Sequence, residues 1–221
     1  EMRYLPLMLG QTDIGNICHE HLEYYSLLSL KQLIEKHGLE IFDVELNNVN
    51  GGSFITYIRH IGSTLKPMLE GRVKQLEIVE RSTGLGTPTP YVLFGARIQE
   101  LQKKLTEFVK AEHDKGKIIH IYGASTKGNT LLQCFGLDHK LIEAAAERDP
   151  RKFGKITVGT EIPIISEEES RKRANYYLIL PWHFLNVFIK REEAFLKSGG
   201  KFIVPLPDFK VIGWEEVNAA Q

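Results

Sequence analysis

Lys117-Ile118-Ile119-His120-Ile121-Tyr122-Gly123-Ala124-Ser125-Thr126-Lys127-Gly128-Asn129-Thr130 is the stretch that decides the fold. Residues 117–122 are an apolar run that ends at Gly123, as a buried strand does. A helix is expected from Gly128 to Phe135. Downstream the same alternation continues. Leu141 to Glu147 fits a second strand, ending at Arg148-Asp149. Ile162 to Ile165 reads as a short strand or an edge. Ser166 with Glu167-Glu168-Glu169 opens a helix with a serine cap and an acidic first turn. Tyr176 to Leu180 is a third buried strand, and Phe184 to Lys197 a helix stopped at Gly199-Gly200. Lys201 to Val204 is a further strand. Strands alternating with helices predict an α/β fold, a Rossmann-like parallel sheet spanning residues 117–221.

The loop between the first strand and its helix suits an anion, because such turns aim backbone N–H groups and a helix N-terminus at it. Two standard motifs nearly fit. A dinucleotide fingerprint needs Gly at 123, 125 and 128, and Ser125 breaks it. A P-loop needs Lys where Asn129 stands, and Lys127 lies inside the loop instead. Asp149 follows the second strand, where Rossmann folds place a ribose-binding carboxylate. The competing reading is an ordinary strand–helix turn.

Working toward the N-terminus, residues 91–114 form an amphipathic helix, with Val92, Ile98, Leu101, Leu105, Phe108 and Val109 on one side. It reads as a bridging helix. Residues 61–116 form a helical connector rich in Pro and Gly near its start, with a short helix within 68–81. Residues 1–60 hold a helix over 27–37 that Ser26 or Ser29 would cap. A period-two strand over 39–46, a turn at Asn47–Gly52 and a strand over 53–59 follow. These are too few apolar elements to close a core alone, so they are expected to end a larger sheet.

Composition narrows the class. Lys plus Arg and Asp plus Glu both number 28, which leaves zero formal net charge and no global field to collect nucleic acid or an anionic membrane. The two cysteines, Cys18 and Cys134, make neither a disulfide framework nor a zinc site by spacing, which fits a reducing, cytoplasmic setting. No apolar run reaches the roughly 18 residues that a membrane span needs. The chain begins with Glu1 and not Met, as an excised piece would.

Cys18-His19-Glu20-His21, followed by Glu23-Tyr24-Tyr25, gathers several reactive side chains. Three readings stand side by side: a metal pair at His19 and His21, a polar loop, or acid–base chemistry by a histidine beside a carboxylate.

Cys18 to Ser26 resembles the segment that carries the catalytic Glu-His pair of sugar C-methyltransferases, the group that includes nucleotide-linked keto-deoxysugar C3-methyltransferases. Asn50-Gly51-Gly52-Ser53 resembles their Gly-Gly turn, and Gly123 to Leu132 the first strand–helix loop of their C-terminal domain. Asp149-Pro150, Gly159 to Ile164 and Leu180-Pro181-Trp182 resemble later landmarks, in the same order.

The resemblance implies a three-part enzyme. Its parts are an N-terminal zinc domain, a Rossmann-type domain for S-adenosylmethionine, and a C-terminal Rossmann-like domain that helps bind a sugar nucleotide. This chain would hold the end of the second part, without its main S-adenosylmethionine loop, and all of the third. Zinc would belong only to the missing N-terminal region, which is itself an implied partner. The resemblance makes His21 the base and Glu20 its orienting partner, with His19 and Tyr24 or Tyr25 assisting an enolate oxygen. Gly123, Ser125, Lys127 and Asn129 would meet nucleotide phosphates, and Asp149 the ribose. The alternative is a non-catalytic nucleotide-binding or assembly module. An NAD-linked oxidoreductase is disfavoured by Ser125.

Overall fold

The computed structural model describes residues 1–219 and divides the chain into two compact units. The first comprises residues 1–12 and 20–96, the second residues 13–19 and 97–221.

In the first unit, β1 (Met2–Arg3) leads into α1 (Leu5–Gly10). Then come α2 (Leu27–Glu35), β2 (Leu39–Asn47), β3 (Ser53–His60) and α3 (Arg72–Ser82). The sheet is antiparallel, in the order β1-β3-β2. Tyr4, Leu27, Leu30, Val44, Phe54 and Leu76 share its core. Ser26 and Ser29 cap α2 reciprocally, as expected of a capping box. A second cap comes from α3, where the buried Glu80 carboxylate accepts from Leu27 N at 2.6 Å and Leu28 N at 2.9 Å. A carboxylate here satisfies orphan donors and opposes the positive end of the helix.

The chain passes from one unit to the other within α4 (Thr89–Asp114). Leu101, Leu105 and Val109 of this helix are buried in the core of the second unit. Val92, expected on that stripe, is 67% exposed, so the working apolar face starts further along.

The second unit continues through β4 (Ile119–Tyr122), α5 (Thr126–Phe135), β5 (Ala144–Glu147), β6 (Ile164–Ser166), α6 (Glu167–Arg171) and β7 (Tyr176–Ile179). It ends with α7 (Leu185–Arg191), α8 (Glu193–Lys197), β8 (Lys201–Val204), β9 (Lys210–Ile212) and α9 (Trp214–Ala219). The sheet order is β6-β5-β4-β7-β8-β9, all parallel except β9. Among the parallel strands the chain order is therefore third, second, first, fourth, fifth, as in Rossmann sheets. The expected α/β class holds. Both faces are covered: Ile119 and Ile121 pack with Leu105, Leu131 and Leu132, while Tyr122 packs with Tyr177, Phe188 and Phe202. Strands buried on both faces read as continuous apolar runs, which is why they were visible in the sequence.

Two expectations are corrected. Helix α5 starts at Thr126, two residues before Gly128, because the Ser125 side chain caps it by accepting from Gly128 N at 3.1 Å. The helix expected over 184–197 is two helices, broken at Glu192, whose backbone leaves helical geometry at φ −103°, ψ 25°. Glu192 is buried there, accepting from Tyr122 Oη at 2.6 Å and from Arg171 at 2.6 and 2.7 Å. Its engagement coincides with the break.

Candidate functional site

At the carboxyl ends of β4 and β5 lies a cleft of about 510 Å³. That is where parallel α/β sheets hold ligands. Its floor is the loop after β4. Gly123 adopts φ +89°, a turn open to glycine at no steric cost, and donates to Ala146 O at 2.8 Å. Gly128 serves closeness: a Cβ there would stand 2.8 Å from Leu180 Cδ1 and 3.1 Å from Ser125 Oγ. The first and last glycines of a dinucleotide fingerprint play these same two roles.

Gly123, Ser125 and Asn129 all line the cleft. Asn129 Oδ1 is buried without a hydrogen-bond partner. Lys127 does not line it. Its carbonyl and Cβ pack against Gly15 instead, where an added Cβ would meet them at 3.0 and 3.3 Å. Asp149 caps the 3-10 turn Pro150–Lys152 and grips Arg151 through both carboxylate oxygens, at 2.7 to 3.1 Å. That guanidinium, with the Arg151 amide, holds the Asp149 carboxyl down to about 2.

Two charged lining residues, Glu147 and Lys152, were missed. Glu147, the last residue of β5, accepts from Arg148 N (2.8 Å) and Asp149 N (3.2 Å) on one oxygen. On the other it accepts from Ala124 N (3.1 Å) and Lys152 Nζ (2.9 Å). Burial alone would raise its pKa, but Lys152 and the three amides outweigh burial and hold it below the ordinary carboxylate value. Lys152 Nζ also donates to Ala124 O at 2.8 Å, so the pair ties the loop after β4 to the end of β5. Glu147 was findable, since it closes the second strand. Nothing in the sequence marked Lys152.

The run Cys18–His21 lies outside regular structure, as does the chain up to Tyr24. Cys18 is buried, His19 and Glu20 are exposed in a turn, and His21 and Tyr24 are half-buried. His19 belongs to the stretch grouped with the second unit, whereas Glu20, His21 and Tyr24 belong to the first. In the first unit the segment is anchored at Tyr25, which bridges to Tyr4 and accepts from Leu5 N at 3.0 Å. Among the described residues no group of three His, Cys, Asp or Glu gathers to hold a metal, and no helix is long and apolar enough to cross a membrane.

A Rossmann-type sheet with a glycine turn and a cleft at its strand ends makes the second unit a Rossmann-like α/β domain. The chain matches the C-methyltransferase C-terminal domain family over residues 48–207, and it belongs to that family. It is also 36% identical over 216 residues to the C-methyltransferase NovU of Streptomyces niveus, covering 97% of this chain and 51% of that protein. The chain thus spans about half the length of the curated relative it matches.

Proposed function

We propose that the whole protein transfers a methyl group from S-adenosylmethionine to an enolisable carbon of a nucleotide-linked keto sugar. In this reading residues 1–60 end the methyl-transfer domain, residues 61–116 lead out of it, and residues 117–221 bind the sugar nucleotide. The observation that carries it is family membership over a chain whose second unit has the fingerprint-like loop Gly123–Gly128 beside an open cleft.

The chemistry follows from the substrate. A ketone acidifies the proton on the adjacent carbon. His21 takes that proton, the enolate carbon forms a bond to the methyl group, and the methyl–sulfur bond breaks to leave a neutral thioether. Glu20, next in sequence, orients the imidazole, and His19 and Tyr24 assist the enolate oxygen. Proximity of the two substrates supplies much of the remaining acceleration. S-adenosylmethionine enters as the methyl-donating substrate.

The test is His21→Ala in the whole protein. General-base loss should cut methyl transfer about 100-fold or more while sugar-nucleotide affinity is kept. Near-wild-type turnover would remove His21 as the base. If the variant loses transfer and nucleotide binding together, the segment is structural.

A further inference from the structure

We infer that Lys152, and not Lys127, meets the anionic diphosphate of the nucleotide in the cleft of the second unit. The inference rests on the nucleotide-binding reading above and names the residue that reading leaves open.

An ammonium carries three N–H donors. Lys152 gives one to Ala124 O at 2.8 Å and one to Glu147 Oε2 at 2.9 Å. The third has no partner among the described residues, and the side chain is 40% exposed in a cleft it lines. Because two acceptors already hold the ammonium, binding costs it little of the rotamer freedom a surface lysine would lose.

The anchor has no other use for its lone pairs. An ionised carboxylate has about four acceptor positions. Glu147 fills them with Arg148 N, Asp149 N, Ala124 N and Lys152 Nζ. It therefore offers nothing to a ribose diol and serves to aim the lysine.

The local charge agrees. Residues 147–152 contribute Arg148, Arg151 and Lys152 against Glu147 and Asp149, three cations to two carboxylates. Asp149 is matched by Arg151 and Glu147 by Lys152, so the segment carries one cation in excess, Arg148, and Lys152 is the one of the three cations that lines the cleft. Ser125 and Thr126, at the start of the ten-residue helix α5, line the same cleft, and the first amides of that helix carry partial positive charge. Lys127 faces the Gly15 turn through its backbone and Cβ, and it does not line the cleft.

The experiment is calorimetry on the whole chain with the uridine, thymidine, cytidine and guanosine diphosphates. Wild type, Lys152→Gln and Lys127→Gln are compared. Wild type should bind at least one of these. Lys152→Gln should weaken that affinity about 10-fold or more, the worth of a charge-assisted hydrogen bond, and Lys127→Gln should leave it within about twofold. Acetylation of the wild-type protein gives a second readout that needs no folded variant: saturating diphosphate should block modification at Lys152 and leave Lys127 labelled. Loss at Lys127 with retention at Lys152 would overturn the inference and spare the nucleotide reading. Failure of the wild-type chain to bind any of the four would overturn both.

Discussion

Gly128 and Leu180 lie so close that a side chain on the glycine would collide, with its Cβ 2.8 Å from Leu180 Cδ1. The contact joins the first turn of α5 to the residue just after β7, the strand beside β4. It sets how tightly the loop after β4 can seat, and so links one sequence position to the shape of the cleft. In Gly128→Ala the helical preference for alanine returns about 1 kcal/mol, but Leu180 is buried and cannot swing away freely. A net loss of about 1–2 kcal/mol is expected in urea unfolding, from overpacking that exceeds the propensity gain. Measured in a Leu180→Ala background, the same substitution should become neutral or stabilising, because the obstructing methyl is gone.

Glu192 marks the break between α7 and α8 and holds Tyr122 and Arg171 together. Glu192→Ala leaves the buried Tyr122 hydroxyl without its acceptor and Arg171 with Glu167 as its remaining partner. Arg171 is 37% exposed and can turn to water, so the loss should be about 2–3 kcal/mol, short of that for a fully buried pair. Chemical denaturation checks it. An unchanged midpoint would mean that the network follows the break and does not stabilise it.

His120 supplies the pH dependence. It is fully buried in β4, 2.7 Å from Ser170 Oγ through Nδ1, with Glu143 Oε1 3.6 Å from Nε2. Burial lowers its pKa, and the nearby Glu143 only partly offsets this. Arg173 adds to the lowering, and Glu169 opposes it. The folded form therefore holds its proton less tightly than the unfolded chain. Stability from this group is present above the unfolded value of about 6.5 and falls as the pH drops toward the lower folded value. Urea midpoints at pH 7.5 and 5 should fall more for wild type than for His120→Gln. Equal falls would show that His120 does not carry the effect.

Much of this architecture was legible in the sequence. Ile119, Ile121, Tyr177 and Leu178 form apolar runs because parallel strands are buried on both faces. Gly123 and Gly128 marked the turn because their types reflect backbone geometry and close packing. Which lysine lines the cleft was not legible, since loop position does not say which side of α5 a residue occupies. Lys127 begins on the side of Gly15, and Lys152 enters the cleft from another turn. Asp149 looked like the ribose carboxylate by position, but Arg151, two residues on, takes it up. The break at Glu192 was hidden because it coincides with long-range partners, Tyr122 and Arg171, that local sequence does not show. Strand β9 is short and begins at a lysine, so it had little periodicity to read.

The most direct measurement of the central proposal uses the whole protein with S-adenosylmethionine carrying a carbon-13 methyl group and a nucleotide-linked keto sugar. Product NMR should place the label on the ring carbon next to the ketone, as a methyl bonded carbon to carbon. Label on oxygen or nitrogen, or none transferred to a panel of such sugars, would contradict the account.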